Sequence, residues 1–154
     1  MDFTISPEIA LLRDRIARFV DQDVLTVEAD RSTWDKHENI GYEALQALRQ
    51  KARQEGMWCL QLSTEAGGLG LGKIGMAVCY EAMNRSIFGP VVFNSAAPDD
   101  GNMMVLEKLG TAEKKSRWLA PIANGTLRSA FAMTEPAPGS GSDPGKMQTW
   151  ARKD

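Results

Sequence analysis

The amino-acid sequence predicts a mostly α-helical protein whose last residues begin a β-structured segment. Apolar residues recur at three- and four-residue steps through residues 1–126, the spacing that gives a helix one apolar face. Strand signals are few, and "MWCLQL" at residues 57–62 could be a strand, an extended loop or a buried turn. From Ser129 the character changes, because "SAFAM" and "KMQTWA" resemble the flanks of a β segment.

The first helix is predicted over "SPEIALLRDRIARFVDQDVLTVEADRS". Ser6 fits an N-cap, Pro7 the first turn, and Glu8 the positive end of the helix dipole. The residues expected to face inward share one side of this helix: Ile9, Leu12, Ile16, Phe19 or Val20, and Val24.

Four further helices follow from the same spacing. "YEALQALRQKARQEG" should bury Leu45, Leu48 and Ala52 and end at Gly56. "IGMAVCYEAMNRSIFG" should bury Met76, Cys79, Met83 and Ile87. A fourth is expected over "MMVLEKLG", and a fifth over "AEKKSRWLAPIANG", with Thr111 as its cap and Pro121 at its end or at a break.

Composition excludes several classes of protein. A chain of 154 residues with 43% hydrophobic residues suggests one globular domain with room for part of a second. The net charge of −2 gives no electrostatic basis for binding nucleic acid. Apolar runs stay well short of the roughly 20 residues of a membrane span, and the N-terminus has no secretory pattern. We therefore expect a soluble protein in the cytoplasm of a bacterium, or alternatively in a mitochondrial or peroxisomal matrix.

The ordinary catalytic motifs give weak signals. "GLGKIG" from Gly70 matches the dinucleotide fingerprint formally, but it lacks a preceding strand and an acid about 20 residues later, so we interpret it as a turn between helices. A single histidine, His37, and two separated cysteines do not predict a metal site. Asp99 and Asp100 precede Gly101 and suit a turn and helix cap better than paired acid–base catalysis.

The stretch "FAMTEPAPGSGSDP", from Phe131 to Pro144, is the strongest candidate for function. Its glycine, proline and serine content would suit a linker. Against that, it opens apolar and places a hydroxyl and a carboxylate before a proline that fixes the turn. Freed backbone N–H groups at Gly139 and Gly141 could cradle ligand oxygens. From the residues alone, a linker and a polar-ligand loop both remain open.

"MTEPAPGSGSDP" resembles the flavin-binding motif of acyl-CoA dehydrogenases, and "EAGGLGLG" at residues 65–72 is similar to a loop of that family. The resemblance runs in order along the chain, from the first long helix to this motif. It implies an N-terminal helical domain at 1–126 and the beginning of a middle β-domain at 127–154, with its first strand and flavin loop.

The resemblance also implies FAD as cofactor, an acyl-CoA thioester as substrate and an electron-transfer flavoprotein as partner. Phe131, Met133 and Thr134 would line the flavin ring, Gly141 would belong to the cofactor loop, and Ser142 would touch both FAD and the acyl-CoA. The implied reaction is α,β-dehydrogenation, and the full-length enzyme is expected to be a homo-oligomer.

The family's catalytic glutamate lies in a C-terminal helical bundle, so no catalytic residue is assigned within these 154 residues. We expect this chain to be inactive alone. The alternative is a non-catalytic helical binding or interaction module derived from such an enzyme.

Overall fold

The computed structural model describes residues 4–153. Its α-helices are α1 (Pro7–Phe19), α2 (Leu25–Ala29), α3 (Tyr42–Gln54), α4 (Lys73–Met83), α5 (Gly89–Val92), α6 (Asp99–Leu109), α7 (Ala112–Lys114) and α8 (Ala120–Ala123). π-helical turns at Val20–Val24 and Lys115–Leu119 join α1 to α2 and α7 to α8. Short 3-10 turns occupy Arg31–Thr33 and Pro144–Lys146. The prediction of a mostly helical fold is confirmed.

The start of α1 is built as predicted. The Ser6 hydroxyl accepts a hydrogen bond from the Ile9 backbone N–H at 3.3 Å, and Pro7 follows in the first turn. The choice between Phe19 and Val20 for the apolar face is resolved because both are buried. The π turn that starts at Val20 has a wider repeat than an α-helix, so consecutive residues can both point inward.

Two other helix boundaries differ from the prediction. α4 ends at Met83, and Ile87 lies in the following turn with 67% of its surface exposed, so its predicted inward position is wrong. The chain leaves the helix there because Ser86 and Gly89 form successive turns, with the Ser86 N–H donating to the Met83 carbonyl at 3.3 Å. α6 begins at Asp99 rather than at Met103, which places the predicted turn residues inside the helix.

The stretch at residues 57–62 is the buried turn among the three alternatives. All six residues are buried, and the Cys59 N–H donates to the Phe93 carbonyl at 2.9 Å. This turn separates two apolar clusters. The first packs α1, α3, α4 and α5 together and includes Ile16, Leu48, Met83 and Phe93. The second joins the turn to α6 and α8 through Trp58, Leu62, Met103 and Ile122.

Residues 127–153 are organised differently from the helices. No residue in this range is buried, and its one β contact is an isolated antiparallel bridge between Glu135 and Gly141. The expected first strand near Ser129 does not form a ladder within the described residues, since a strand needs a neighbour to pair with. That strand stays a prediction. Among residues 4–153, no helix is long and apolar enough to cross a membrane.

Candidate functional site

The entry to the candidate loop is fixed on α6. The Asp99 side chain, which is 3% exposed, accepts hydrogen bonds at 2.7 Å from both the backbone N–H and the hydroxyl of Ser129. Its second oxygen pairs with the Arg128 guanidinium. One turn along α6, the Asn102 amide donates to the Ser129 hydroxyl at 2.9 Å and to the Ala130 carbonyl at 3.3 Å. We call these five residues the α6 anchor.

The rest of the loop is organised by a single carboxylate. Glu135 accepts hydrogen bonds from the backbone N–H groups of Ser140 at 3.0 Å, Gln148 at 3.0 Å and Thr149 at 2.6 Å, and from the Thr149 hydroxyl. These donors, with the Ser140 N–H contributing most, hold the pKa of Glu135 far below its usual range. We call residues 135–149 the Glu135 loop. This one carboxylate therefore folds the loop back on itself.

Glycine is required where the loop closes on itself. A Cβ atom on Gly139 would lie 2.7 Å from the Glu135 Cβ and 2.8 Å from the Pro136 carbonyl oxygen. Gly141, which pairs with Glu135 in the β bridge, has a φ of +59°, a conformation that L side chains rarely adopt. The sequence "GSG" therefore serves the shape of the loop.

The predicted site residues follow these two fixed points. Phe131 is 68% exposed, Met133 is half-buried, and Thr134 is exposed, in what we call the linking segment, residues 131–134, between the α6 anchor and the Glu135 loop. Ser142 is exposed on the far side of Gly141. Apolar side chains and hydroxyls that face solvent from one short segment suit one edge of a planar heterocyclic ligand, so the residues present fit a flavin. The individual contacts to it stay predictions.

An apolar groove opens beside the linking segment. It measures about 520 Å³ and lies between α6, the π turn before α8 and the anchored chain. Val105, Leu106, Trp118, Leu127 and Ala130 line it. Val105 and Trp118 are 57% and 42% exposed, so this face of the helical region is left open in the described chain.

The weaker candidates from the sequence have other roles. Asp99 and Asp100 do not act as a pair, because Asp99 holds Ser129 while Asp100 accepts from the Gly101 N–H. "GLGKIG" spans the boundary of α4: residues 70–72 end the loop between helices, as interpreted, and residues 73–75 form the first turn of α4. His37 is exposed in a turn, and residues 4–153 contain no cluster of three or more potential metal ligands.

The two cysteines are buried, and their thiols are not activated for reaction. Cys59 and Cys79 are both fully buried and free. Burial raises the pKa of each thiol to about 11, which keeps it protonated near neutral pH.

Comparison with known proteins identifies the family. Residues 6–126 match the model of the acyl-CoA dehydrogenase N-terminal domain. The whole chain is 35% identical over 159 aligned residues to "Probable acyl-CoA dehydrogenase FadE2" of Mycobacterium tuberculosis, and 86% of it is 36% identical to mouse "Acyl-CoA dehydrogenase family member 10". The chain belongs to the acyl-CoA dehydrogenase family.

A solved structure gives the same result in three dimensions. "Structure of a putative acyl-CoA dehydrogenase from Mycobacterium abscessus" superimposes with a TM-score of 0.78 at 38% identity, over 87% of this chain. That match covers 36% of the Mycobacterium abscessus chain. The present chain likewise spans 38% of the Mycobacterium tuberculosis relative and 13% of the mouse relative.

Sequence reasoning missed the two carboxylates that build the site. Asp99 was interpreted as a local turn or cap residue, whereas its partners lie about 30 residues further on. Glu135 is the carboxylate that precedes the proline of the motif, and the sequence does not indicate that it reaches Gln148 and Thr149. The signal that the sequence offered for Asp99 was an acid near the start of a helix with no hydroxyl residue next to it. Nothing in the residue spacing indicates which distant donor such an acid would meet.

Proposed function

We propose that this chain is the N-terminal helical domain, residues 1–126, and the beginning of the middle β-domain, residues 127–154, of an FAD-dependent acyl-CoA dehydrogenase. The observation that carries the proposal is the order of its parts. The family match over residues 6–126 is followed directly by "MTEPAPGSGSDP", which the α6 anchor and the Glu135 loop hold as an exposed, folded loop.

FAD, when bound, accepts a hydride from the β carbon of the acyl-CoA while a base removes the α proton. Phe131 and Met133 would contact the apolar part of the flavin ring, and the Thr134 hydroxyl would hydrogen-bond its polar edge. Gly141 would let the backbone approach the cofactor, and the Ser142 hydroxyl would face both cofactor and thioester. The carboxylate of Glu135 is fully used inside the loop, so it holds shape rather than accepting the α proton.

We propose that the reaction needs residues outside these 154. Proton removal next to a thioester requires a base within hydrogen-bond reach of the α carbon. The acids in the loop and its anchor, Asp99, Glu135 and Asp143, are engaged by their own partners. We further propose an electron-transfer flavoprotein as electron acceptor, a homo-oligomeric complete enzyme, and a location in a bacterial cytoplasm.

A chimera tests the proposal. Residues 1–154 replace the corresponding N-terminal part of the Mycobacterium abscessus protein, which shares 38% identity with them. The intact Mycobacterium abscessus protein is the control, and the flavin absorbance is followed anaerobically as straight-chain acyl-CoA thioesters of several lengths are added. We expect the chimera to retain FAD and to bleach with at least one of them. A folded chimera that stays colourless beside a yellow control would contradict the proposal.

A further inference from the structure

In the α6 anchor, a buried carboxylate, that of Asp99, binds a segment of the chain that is itself mostly exposed. Asp99 retains 2% of its surface, yet the hydrogen bonds that its carboxylate accepts come from Arg128, which is exposed, and Ser129, which is half-buried. Placing a carboxylate in a buried position is costly unless hydrogen bonds and charges compensate it. The first turn of α6 supplies favourable dipole charge, and Arg128 supplies a direct ion pair.

A second guanidinium also interacts with the charge of this carboxylate. Arg49 of α3 is 4% exposed, and burial lowers its pKa to about 10 while the charge of Asp99 opposes that shift. The Nε of Arg49 donates a hydrogen bond to the Val91 carbonyl at 3.1 Å. Its buried Nη2 has no hydrogen-bond partner among residues 4–153. The charge of Asp99 thus acts on Arg49 of α3 as well as on the exposed chain.

The contacts of Asp99 fix the chain in a specific register. It binds the backbone N–H of Ser129 as well as the side chain, and Asn102 binds the next carbonyl, that of Ala130. Successive side chains of an extended segment point to opposite sides, so a slip of one residue would exchange the two faces. Fixing residues 129 and 130 therefore decides which way Phe131 and Met133 point.

We propose that Asp99 is a positioning residue for the flavin. Together with Asn102 it sets the place and the facing of the linking segment, and through it the contacts of Phe131, Met133 and Thr134 with the cofactor. This inference rests on the proposed function. Asp99 touches neither cofactor nor substrate in this account, and it acts through Ser129.

The first test uses the 154-residue chain without cofactor. Amide hydrogen exchange is compared among the native chain, Asp99→Ala, Asp99→Asn and Asp100→Asn. In Asp99→Ala we expect exchange of the Ser129 amide to rise at least tenfold, since its charge-assisted hydrogen bond to the carboxylate is lost. Exchange in α1 should stay unchanged. Asp99→Asn should fall between, because its amide oxygen still accepts from Ser129. Asp100→Asn, which removes the neighbouring charge, should match the native chain.

The second test places the same variants in the chimera described above. We expect Asp99→Ala to weaken FAD binding at least tenfold and to shift the flavin absorption bands, while Asp100→Asn does neither. Unchanged exchange of the Ser129 amide, or an equal rise in α1, would overturn the anchor itself. Unchanged FAD affinity and spectrum in Asp99→Ala would overturn the positioning role. A native-sequence chimera that holds no FAD would instead refute the proposed function, and with it the role toward flavin.

Discussion

The helical region and the C-terminal segment of this molecule are held together by opposite means. Residues 6–126 bury two apolar clusters, with the Phe19 and Phe93 rings 5.4 Å apart in the larger one. Residues 127–153 bury nothing and are held by hydrogen bonds to two carboxylates, Asp99 and Glu135. The difference teaches that one part carries its own stability, whereas the other owes its shape to a few polar contacts.

The thiols offer the widest contrast between the two regions. Cys59 and Cys79 are fully buried with pKa values raised to about 11, so they should react with a thiol reagent only when the helical region unfolds. A thiol introduced by Ser142→Cys, at an exposed position, should react at once. We expect rates that differ by a factor on the order of 10³ or more, set by the folding equilibrium. Equal rates in a native-state time course would show that the helical region does not fold stably.

Substitution of one phenylalanine in each region compares their contributions to the free energy of unfolding. Phe93→Ala should lower the free energy of unfolding by about 3–5 kcal/mol, since a fully buried ring leaves a cavity. The matched change Phe131→Ala, at a ring that is 68% exposed, should alter it by less than about 0.5 kcal/mol. Urea unfolding measures both. A large effect of Phe131→Ala would mean that the C-terminal segment contributes to the core.

Glu135 should control order in its loop alone. Glu135→Ala removes the acceptor for Ser140, Gln148 and Thr149, so hydrogen exchange over residues 140–149 should rise several-fold while α3 and α6 keep their protection. Asp143→Ala is the control, since it removes only local contacts, the hydrogen bond from the Gly145 N–H and the ion pair with Lys146. Protection at residue 149 that survives Glu135→Ala would disprove the organising role of this carboxylate.

The pH dependence of the loop follows from the same group. The pKa of Glu135 is lowered in the folded state from an ordinary value of 4.5, so its contribution is complete above that pH. The contribution is lost as pH falls below 4.5 toward the lower folded-state pKa. NMR of the Thr149 amide from pH 7 downward should show an ordered loop until the solution is clearly more acidic than 4.5. Loss of order between pH 7 and pH 5 would contradict the assignment.

The smallest expected effects belong to individual flavin contacts. In the chimera, Thr134→Ala and Ser142→Ala should each weaken FAD retention or slow flavin reduction by a factor that corresponds to one hydrogen bond, about 1 kcal/mol. Thr126→Ala, which lies before the anchored segment, serves as control. If both loop variants match the control in FAD affinity and in reduction rate, the proposed contacts are wrong.

Local signals in the sequence predicted the helical region well. Ser6 and Thr111 were identified as caps, and both side chains accept the expected N–H. The prediction failed at Ile87. The apolar spacing of α4 continues to this residue in the sequence, but turns at Ser86 and Gly89 end the helix before it and leave Ile87 exposed. Such local reasoning predicted only part of the candidate site. The motif at Thr134 and Ser142 can be recognised locally, but the contact of Asp99 with Ser129 joins elements 30 residues apart.

Titration of the purified 154-residue chain with FAD tests the central claim most directly. The linking segment and the Glu135 loop offer one side of a flavin site, and binding must overcome the cost of ordering both partners. We predict a colourless protein, no saturable FAD binding at micromolar concentration, and no absorbance change when acyl-CoA is added. A yellow preparation that bleaches with acyl-CoA would contradict the account, because an acid within these residues would then remove the α proton.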